Sequence, residues 1–177
     1  RVFITGGGKI SAYLLAALSN MGMKLKVVEL NKARCRVLSE TFPAVSVLHG
    51  DGTDQDLLDS ERLAESDAFV ALTDRDEDNL ITALYASQQG LSKVIAKCNR
   101  QNYAGIARSV GLDSVLSPKF ITASYILHVV RGMQNSQGSV MNSLHRIADG
   151  GAEAMEFTVA PSTHYLGVPL RELKLKP

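Results

Sequence analysis

The amino-acid sequence predicts a doubly wound α/β fold, in which helices cover both faces of a parallel β-sheet. Six short apolar runs, rich in Val, Ile, Leu, Phe and Ala, alternate with segments of helical periodicity. Strands that are buried on both faces have this nearly continuous apolar character. Strand–helix repeats with short connections favour parallel strands and right-handed crossovers. The predicted strands are Val2–Thr5, Leu25–Glu29, Ser46–His49, Ala68–Leu72, Lys93–Lys97 and Ser114–Leu116.

The segments between these strands have the pattern of amphipathic helices. Apolar residues of Ile10–Met21 fall on one helical face, and Gly22 follows as a stop signal. Asn31 stands where an N-cap would begin the second helix. A similar pattern in Leu80–Ser87 ends before Gly90. The helices therefore alternate with the strands, as the fold requires.

A different organisation begins after Pro118. A longer amphipathic segment is followed by a stretch rich in Gly, Ser and Asn, which predicts a hinge. We expect three parts: a nucleotide-binding N-lobe at residues 1–117, a crossover helix and hinge connector at 118–149, and the start of a small α+β lobe at 150–177. The last part is too short to bury a core alone, so we expect it to need either the remainder of a longer protein or a partner chain. The predicted elements are a helix at Ile121–Met133, a hinge at Gln134–Ser139, a second short helix at Met141–Ile147, a strand at Ala154–Val159, and a short helix or turn at Leu170–Leu173.

Composition excludes several classes of function. The 177 residues carry a formal net charge of +1 at pH 7, so bulk electrostatics do not indicate a nucleic acid or an acidic membrane as the partner. No apolar run approaches the roughly 18 residues of a spanning helix. The two cysteines, Cys35 and Cys98, fit no metal-binding spacing and are interpreted as free thiols of a reducing compartment.

A glycine turn follows the first strand and carries the strongest functional signal. Gly6 and Gly8 match the first two positions of the G-x-G-x-x-G fingerprint, and Ser11 occupies the third. The first glycine permits a tight turn, and the second lets backbone N–H groups approach a pyrophosphate. The N-terminus of the following helix attracts the same negative charge. We therefore predict a phosphate-binding turn.

Glu29 ends the second strand, where this fingerprint places an acid. A carboxylate there accepts hydrogen bonds from ribose hydroxyls and repels a 2′-phosphate. NAD or an adenosine nucleotide is therefore favoured over NADP. The alternative is a glycine-rich turn beside a solvated glutamate.

Further polar loops follow the third and fourth strands, at the same edge of the sheet. Asp51 and Thr53 are candidates for contact with an adenine edge, although Thr53 or Asp54 would equally serve to cap the next helix. Thr73 and Asp74 are placed to line the ribose side. The acids that follow them fit the N-terminus of a helix, with a divalent ion as the alternative.

Two cations are candidate phosphate ligands. Arg100 follows the fifth strand and either reaches a phosphate or pairs with local acids at the surface. Lys9, within the glycine turn, is a candidate contact for a terminal phosphate of the same or a neighbouring subunit.

In this order, the segments GGGKIS, VVELN, HGDGTD, ALTDRDEDNL, KVIAKCNRQNY and VLSPKFITA resemble the RCK/KTN family, the TrkA-type regulatory nucleotide-binding domains of potassium transport systems. The resemblance covers roughly residues 1–135, and the tail is similar to the opening of that family's C-terminal lobe. It implies a Rossmann sheet with the strand order 3-2-1-4-5-6. It also implies a ligand pocket built from Gly6, Gly7, Gly8, Lys9, Ile10, Glu29, Leu30, Asp51, Gly52, Thr53, Thr73 and Asp74, with Arg100 as a weaker member.

The resemblance further implies a regulatory role without catalysis. NAD(H) or ATP/ADP would be the regulatory ligand. The chain would form dimers through the long helix after Pro118, and these would assemble into rings on the cytoplasmic side of a membrane potassium transporter. Substitution of Ser11 for the third glycine puts the packing of the first crossover in question.

Two other classes of function remain open from the sequence. An NAD-dependent dehydrogenase would need a catalytic domain that is missing here, and no His, Lys or Tyr stands in a recognisable catalytic pair. A purely structural assembly domain would leave the pocket empty.

Overall fold

The computed structural model describes the backbone of residues 1–112, 114–134, 139–147, 152–159 and 166–172. The chain divides into two compact units, Arg1–Lys119 and Phe120–Pro177. The strands are β1 (Val2–Thr5), β2 (Leu25–Glu29), β3 (Ser46–His49), β4 (Ala68–Ala71), β5 (Lys93–Lys97), β6 (Val115–Leu116), β7 (Ser139–Ile147) and β8 (Ala152–Val159). The helices are α1 (Lys9–Ser19), α2 (Lys32–Thr41), α3 (Gln55–Ser60), α4 (Asp76–Gln88), α5 (Gln101–Ser109) and α6 (Pro118–Gln134), with short 3₁₀ turns at Leu63–Glu65 and Leu170–Glu172.

The first unit is a six-stranded parallel sheet with the order β3-β2-β1-β4-β5-β6. This confirms the doubly wound fold. Four predicted strands have the predicted bounds, whereas β4 ends one residue earlier, at Ala71, and β6 begins one residue later, at Val115. Differences of one residue at element ends are ordinary.

The core lies on both faces of this sheet. Neighbouring residues of β1 point to opposite faces: Phe3 packs with Val28 and Phe69 on one face, whereas Ile4 packs with Leu15 and other residues of a second cluster. Phe3, Ile4 and Leu15 are almost fully buried. Burial on both faces explains why the strands are apolar throughout. The carboxyl ends of β1, β2 and β4 consequently lie side by side at one edge.

The second unit contains an antiparallel pair, β7 with β8. The prediction of a short helix at Met141–Ile147 is therefore wrong, because this segment is the main part of β7. Its backbone pairs with β8 from Ser139↔Val159 to Ile147↔Ala152. A short run with weak periodicity does not choose between helix and strand, and the partner strand decides.

The remaining elements after Pro118 follow the sequence pattern more closely. Helix α6 extends the predicted helix at both ends and begins with Pro118, a residue suited to the first turn. Of the predicted hinge, Gln134 ends α6 and Ser139 begins β7, and residues 135–138 lie outside the described residues. Strand β8 contains the predicted Ala154–Val159. Among the described residues, no helix is both long and apolar enough to cross a membrane.

Candidate functional site

The glycine turn between β1 and α1 is tightly packed on one side and open on the other. Gly6 has a φ of +89°, and a Cβ atom there would lie 2.7 Å from the backbone nitrogen of Thr73. Gly8 is the N-cap residue of α1, and a Cβ atom there would meet nothing within 4 Å. No side chain caps α1. The first N–H groups of the helix are thus available to an anion.

Ser11 fits the third position of the fingerprint. Its side chain is fully buried, and its hydroxyl donates a hydrogen bond to the carbonyl oxygen of Gly6. A serine therefore satisfies its own polar atom at the crossover, and it ties the first turn of α1 to the glycine turn. Replacement of the third glycine by Ser11 is therefore compatible with close packing at the first crossover.

Glu29 faces the glycine turn from the end of β2. Its Oε2 accepts a hydrogen bond from the N–H of Gly7 at 2.6 Å, and its Oε1 accepts one from the N–H of Asn31 at 2.6 Å. Arg34 Nε donates to the carbonyl oxygen of Gly7 at 2.6 Å. The backbone N–H and the carbonyl oxygen of Gly7 are thus both hydrogen-bonded to side chains of the β2–α2 segment. The carboxylate and the guanidinium are oriented before any ligand arrives.

In the loop after β3, the structure shows which polar residue caps the next helix and which ones lie at the cleft. Asp54 is the N-cap residue of α3 and accepts from the backbone N–H groups of Asp56 and Leu57. Asp51 instead accepts from the N–H and the hydroxyl of Thr53, at 2.9 and 2.8 Å. These two hydrogen bonds, the backbone one first, lower the pKa of Asp51 below its usual value. Capping is thus assigned to Asp54, and Asp51 and Thr53 lie at the cleft.

Asn79 holds the loop after β4, and the sequence analysis missed it. This side chain is fully buried, and its Oδ1 accepts from the N–H and the hydroxyl of Thr73 at 2.8 and 2.7 Å. Its Nδ2 donates to the carbonyl oxygens of Thr73 and Lys97, both at 3.0 Å. One side chain therefore positions the loop and ties it to β5.

Asp76 makes a second link between the same two segments. Its carboxylate accepts from the backbone N–H groups of Asn99 and Arg100 at 2.9–3.0 Å. Burial alone would raise the pKa of Asp76, but these hydrogen bonds outweigh it and hold the pKa below its usual value. Asp76 is thus a structural carboxylate at the start of α4.

Arg100 has local partners in this structure. Its guanidinium donates to Glu77 at 2.9 Å and to the hydroxyl of Tyr103 at 2.8 Å. Asp78 pairs with Arg75 at 3.3 Å. Glu77 and Asp78, at the start of α4, are thus each paired with a different arginine. Among the described residues, there is no group of three or more His, Cys, Asp or Glu side chains able to hold a metal ion.

These loops enclose a cleft of about 640 Å³ at the carboxyl edge of the sheet. Ten of the residues predicted for the pocket line it: Gly6, Gly7, Gly8, Glu29, Leu30, Asp51, Gly52, Thr53, Thr73 and Asp74. Lys9, Ile10 and Arg100 are not among the lining residues. The lining residues that the sequence analysis missed are Val28, Asn31, Ala33, Arg34, Val37, Leu72, Arg75 and Asp78.

Arg34 had a detectable signal in the sequence. It follows the N-cap Asn31 by three residues, and the Asn31 side chain accepts from its backbone N–H at 3.0 Å. The first turn of a helix after an acid-ending strand lies beside the cleft in a doubly wound sheet. A basic residue at that position was therefore a candidate from spacing alone.

The parallel sheet with a glycine turn at its central crossover defines the chain as a Rossmann-type α/β protein. The sequence model of the TrkA-N domain family matches residues 2–118. The chain belongs to this family, which agrees with the resemblance seen in its motifs.

Two relatives with similar sequences are Trk system potassium uptake proteins. The Trk system potassium uptake protein TrkA of Azorhizobium caulinodans is 35% identical over 99% of this chain and 37% of its own length. The TrkA homolog 2 of Methanosarcina mazei is 33% identical over 98% of this chain and 38% of its own length. The chain thus spans well under half of the length of these relatives.

Solved structures share the fold. The TrkA-N domain of the inner membrane protein YbaL from Escherichia coli has a TM-score of 0.67 and 15% identity, over 73% of this chain and 96% of its own. The C-terminal domain of Kef from Shewanella denitrificans, in an AMP-bound form, has a TM-score of 0.64 and 18% identity, over 77% of this chain and 82% of its own. The GsuK channel bound to NAD has a TM-score of 0.63 and 23% identity, over 90% of this chain and 28% of its own.

Proposed function

We propose that the cleft binds an adenine nucleotide, either NAD(H) or ATP/ADP, as a regulatory ligand. The observation that carries this proposal is the pairing of an open, uncapped helix N-terminus at Gly8 with the cleft-lining carboxylate of Glu29, which is held against the glycine turn by the N–H of Gly7. The helix N-terminus suits a phosphate, and the carboxylate suits the ribose hydroxyls. The structural neighbours bound to AMP and to NAD support this choice of ligand.

We infer further that the bound nucleotide acts as a signal to a membrane potassium transporter, with no catalysis by this chain. The names of the relatives, which are Trk system potassium uptake proteins, support this role. The chain would then lie at the cytoplasmic face of the membrane. A ligand changes the transporter only by its difference in affinity for two states, and about 1.4 kcal/mol gives a tenfold shift.

Helix α6 is the candidate element for transmission of the signal. Its apolar side chains Ile121, Tyr125, Ile126 and Val130 are 44–69% exposed in the chain. Such a surface suits association with a second copy of the helix. Dimers built through α6, and rings built from them, would couple nucleotide binding to the transporter.

Ligand binding tests this proposal directly. Thermal unfolding is measured with NADH, ADP and ATP, and a ligand at a hundred times its Kd should add about 2.7 kcal/mol to the free energy of unfolding. Gly8→Asp places a carboxylate where the phosphate would bind and should abolish the shift. Gly105→Asp is the matched control, because Gly105 lies in α5 and also has open space at its Cβ position.

Three distinct outcomes would oppose the proposal. Equal shifts for the Gly8→Asp and Gly105→Asp variants would place the ligand elsewhere. Turnover of NADH with a small carbonyl substrate would favour a dehydrogenase, and no stabilisation by any nucleotide would favour a structural assembly domain.

A further inference from the structure

The loop after β3 reaches past β2 and lies against β1. A Cβ atom at Gly52 would be 2.8 Å from the Cβ of Thr5, the last residue of β1. Strand β2 stands between β3 and β1 in the sheet, and β4 is the other neighbour of β1. The loop that carries Asp51 and Thr53 is therefore brought close to the loop after β4, and the two loops form facing walls of the cleft.

Arg75 is a cleft-lining residue of the β4 wall with a fixed backbone and an exposed side chain. Its N–H donates to the hydroxyl of Thr73 at 3.3 Å, and its carbonyl oxygen accepts from the N–H of Asn79 at 3.1 Å. Its side chain is 76% exposed and pairs with Asp78 at 3.3 Å. An ion pair at such an exposed position is weak, so the guanidinium is free to change partners when a ligand arrives.

Arg75 and Asp51 border the same part of the cleft from the two walls. The hydrogen bonds from Thr53 are the main cause of the lowered pKa of Asp51, and the positive charge of Arg75 adds to the lowering. An exposed charge acts only over about one Debye length, roughly 8 Å at physiological salt. The space between the guanidinium and the carboxylate is therefore narrow.

The base of a nucleotide fits between these walls. With its phosphate at the N-terminus of α1 and its ribose at Glu29, a nucleotide carries its base on the far side of the ribose from the phosphate. The carboxylate of Asp51 and the hydroxyl of Thr53 suit the polar edge of a base. The flat face of the base carries no hydrogen-bonding group, but a planar guanidinium stacks on such a face.

The carboxylates around Arg75 favour a neutral group over a phosphate at this position. Asp51, Asp74 and Asp78 all line the cleft. Asp74 is fully exposed, and Asp78 is the ion-pair partner of Arg75. Three carboxylates beside one guanidinium repel an anion, whereas the uncharged base meets no such repulsion.

We propose that Arg75 selects the base of the bound nucleotide, by stacking its guanidinium on the face of a purine while Asp51 and Thr53 meet the edge. This inference rests on the proposed nucleotide-binding function and names the side chain that recognises the base. A purine offers two fused rings to the guanidinium and a pyrimidine only one. The cleft consequently prefers ADP to UDP.

Isothermal titration calorimetry with ADP and UDP on the 177-residue chain tests this role. The two ligands share the ribose, the diphosphate and the charge, so the ratio of their affinities isolates the base. Arg75→Ala should lower the preference for ADP about fivefold, since the stacking contact is lost. Arg62→Ala is the matched control, because Arg62 is 73% exposed, pairs with Glu65 three residues on, and does not line the cleft. It should leave the ratio unchanged.

Two further variants separate stacking from charge. Arg75→Tyr keeps a flat group without a charge and should retain most of the preference for ADP. Arg75→Lys keeps the charge without the flat group and should lose about threefold of the preference. A phosphate contact predicts the opposite order, with ADP and UDP weakened equally, and that result would overturn the proposal.

The outcomes distinguish this inference from the function on which it rests. An unaltered ratio in Arg75→Ala, or equal affinities for ADP and UDP in the wild type, overturns the role of Arg75 and leaves nucleotide binding intact. Wild-type protein that binds neither ligand removes both. Thermal melting without ligand verifies folding, and Arg75→Ala should melt as the wild type does, because the side chain is exposed and does not cap α4.

Discussion

The two sides of the cleft are built in different ways. On the β2 side, Glu29 and Arg34 bind the backbone of the glycine turn, so the groups that hold the turn are also groups that line the cleft. On the β4–β5 side, the buried Asn79 and Asp76 hold the loops but do not line the cleft, whose lining there is Leu72, Thr73, Asp74, Arg75 and Asp78. The side chains that hold the loops thus line the cleft on the β2 side, whereas on the β4–β5 side Asn79 and Asp76 hold the loops from behind the lining.

This difference predicts whether a substitution should change stability, ligand affinity or both. On the β2 side, changes in a lining residue should alter both stability and ligand affinity. On the β4–β5 side, stability should depend on buried residues that no ligand touches, whereas Asp74 should tolerate replacement. Four predictions test this contrast, from the largest expected effect to the smallest.

Gly6→Ala and Gly8→Ala should differ most. Alanine at Gly6 combines a φ of +89° with contacts under 3 Å to the backbone of Leu72 and Thr73. We expect a loss of about 4 kcal/mol in the free energy of unfolding. Gly8 has a negative φ and open space, so its alanine variant should stay within about 1 kcal/mol of wild type. Urea unfolding followed by circular dichroism measures both, and similar losses would contradict the packing described for Gly6.

Asn79→Ala should cost about 3 kcal/mol. The change leaves the N–H and carbonyl of Thr73 and the carbonyl of Lys97 without their partner in a buried position. Asn102→Ala on the exposed surface of α5 is the control and should change stability by less than about 0.5 kcal/mol. Both values come from urea unfolding. If Asn79→Ala matched its control, the β4–β5 side would not depend on this buried amide.

Asp76→Asn should cost about 1 to 2 kcal/mol at pH 7, with a dependence on pH. The pKa of Asp76 is lowered in the folded protein. Its contribution is therefore fully present above the unfolded pKa of about 3.9 and is lost as the pH falls through the folded pKa. The gap between wild type and variant should close below about pH 4.

Unfolding curves at pH 7, 5, 4 and 3 measure this gap. Asp56→Asn, at an exposed position in α3, is the control and should show a gap of less than about 0.5 kcal/mol at pH 7. A gap for Asp76→Asn that is constant over the whole range would show that the carboxylate's charge has no part in holding the loops.

Glu29→Gln should give the smallest change in free energy, and it concerns ligand choice. Removing the negative charge beside the ribose should leave Arg34 to attract a 2′-phosphate. We expect the affinity for NADP relative to NAD to rise about fivefold, or about 1 kcal/mol. Calorimetric titration measures the ratio, with Glu40→Gln at the exposed end of α2 as the control. A ratio that stays at the wild-type value would argue against a ribose site at Glu29.

Local spacing was enough to predict part of the fold and part of the cleft. The strands were predictable because each is apolar throughout, and the glycine turn because its residues are consecutive. The opposite case is Met141–Ile147, where a weak pattern was interpreted as a helix and the backbone of β8 made it a strand.

Arg100 also shows what local spacing does not determine. Its position after β5 left open a phosphate contact or a pairing with local acids, and the second is observed: Glu77, 23 residues earlier in the chain, and the neighbouring Tyr103 hold its guanidinium.

By itself, the sequence determined the doubly wound sheet, the glycine turn, and the acid at the end of β2, because these depend on periodicity and on neighbours in the chain. Only the tertiary structure decided that Asn79 holds the loop after β4 and that Lys97 is buried beside Asp74. Hydrogen bonds and burial depend on which residues the fold brings together, and parallel strands bring together residues far apart in the chain.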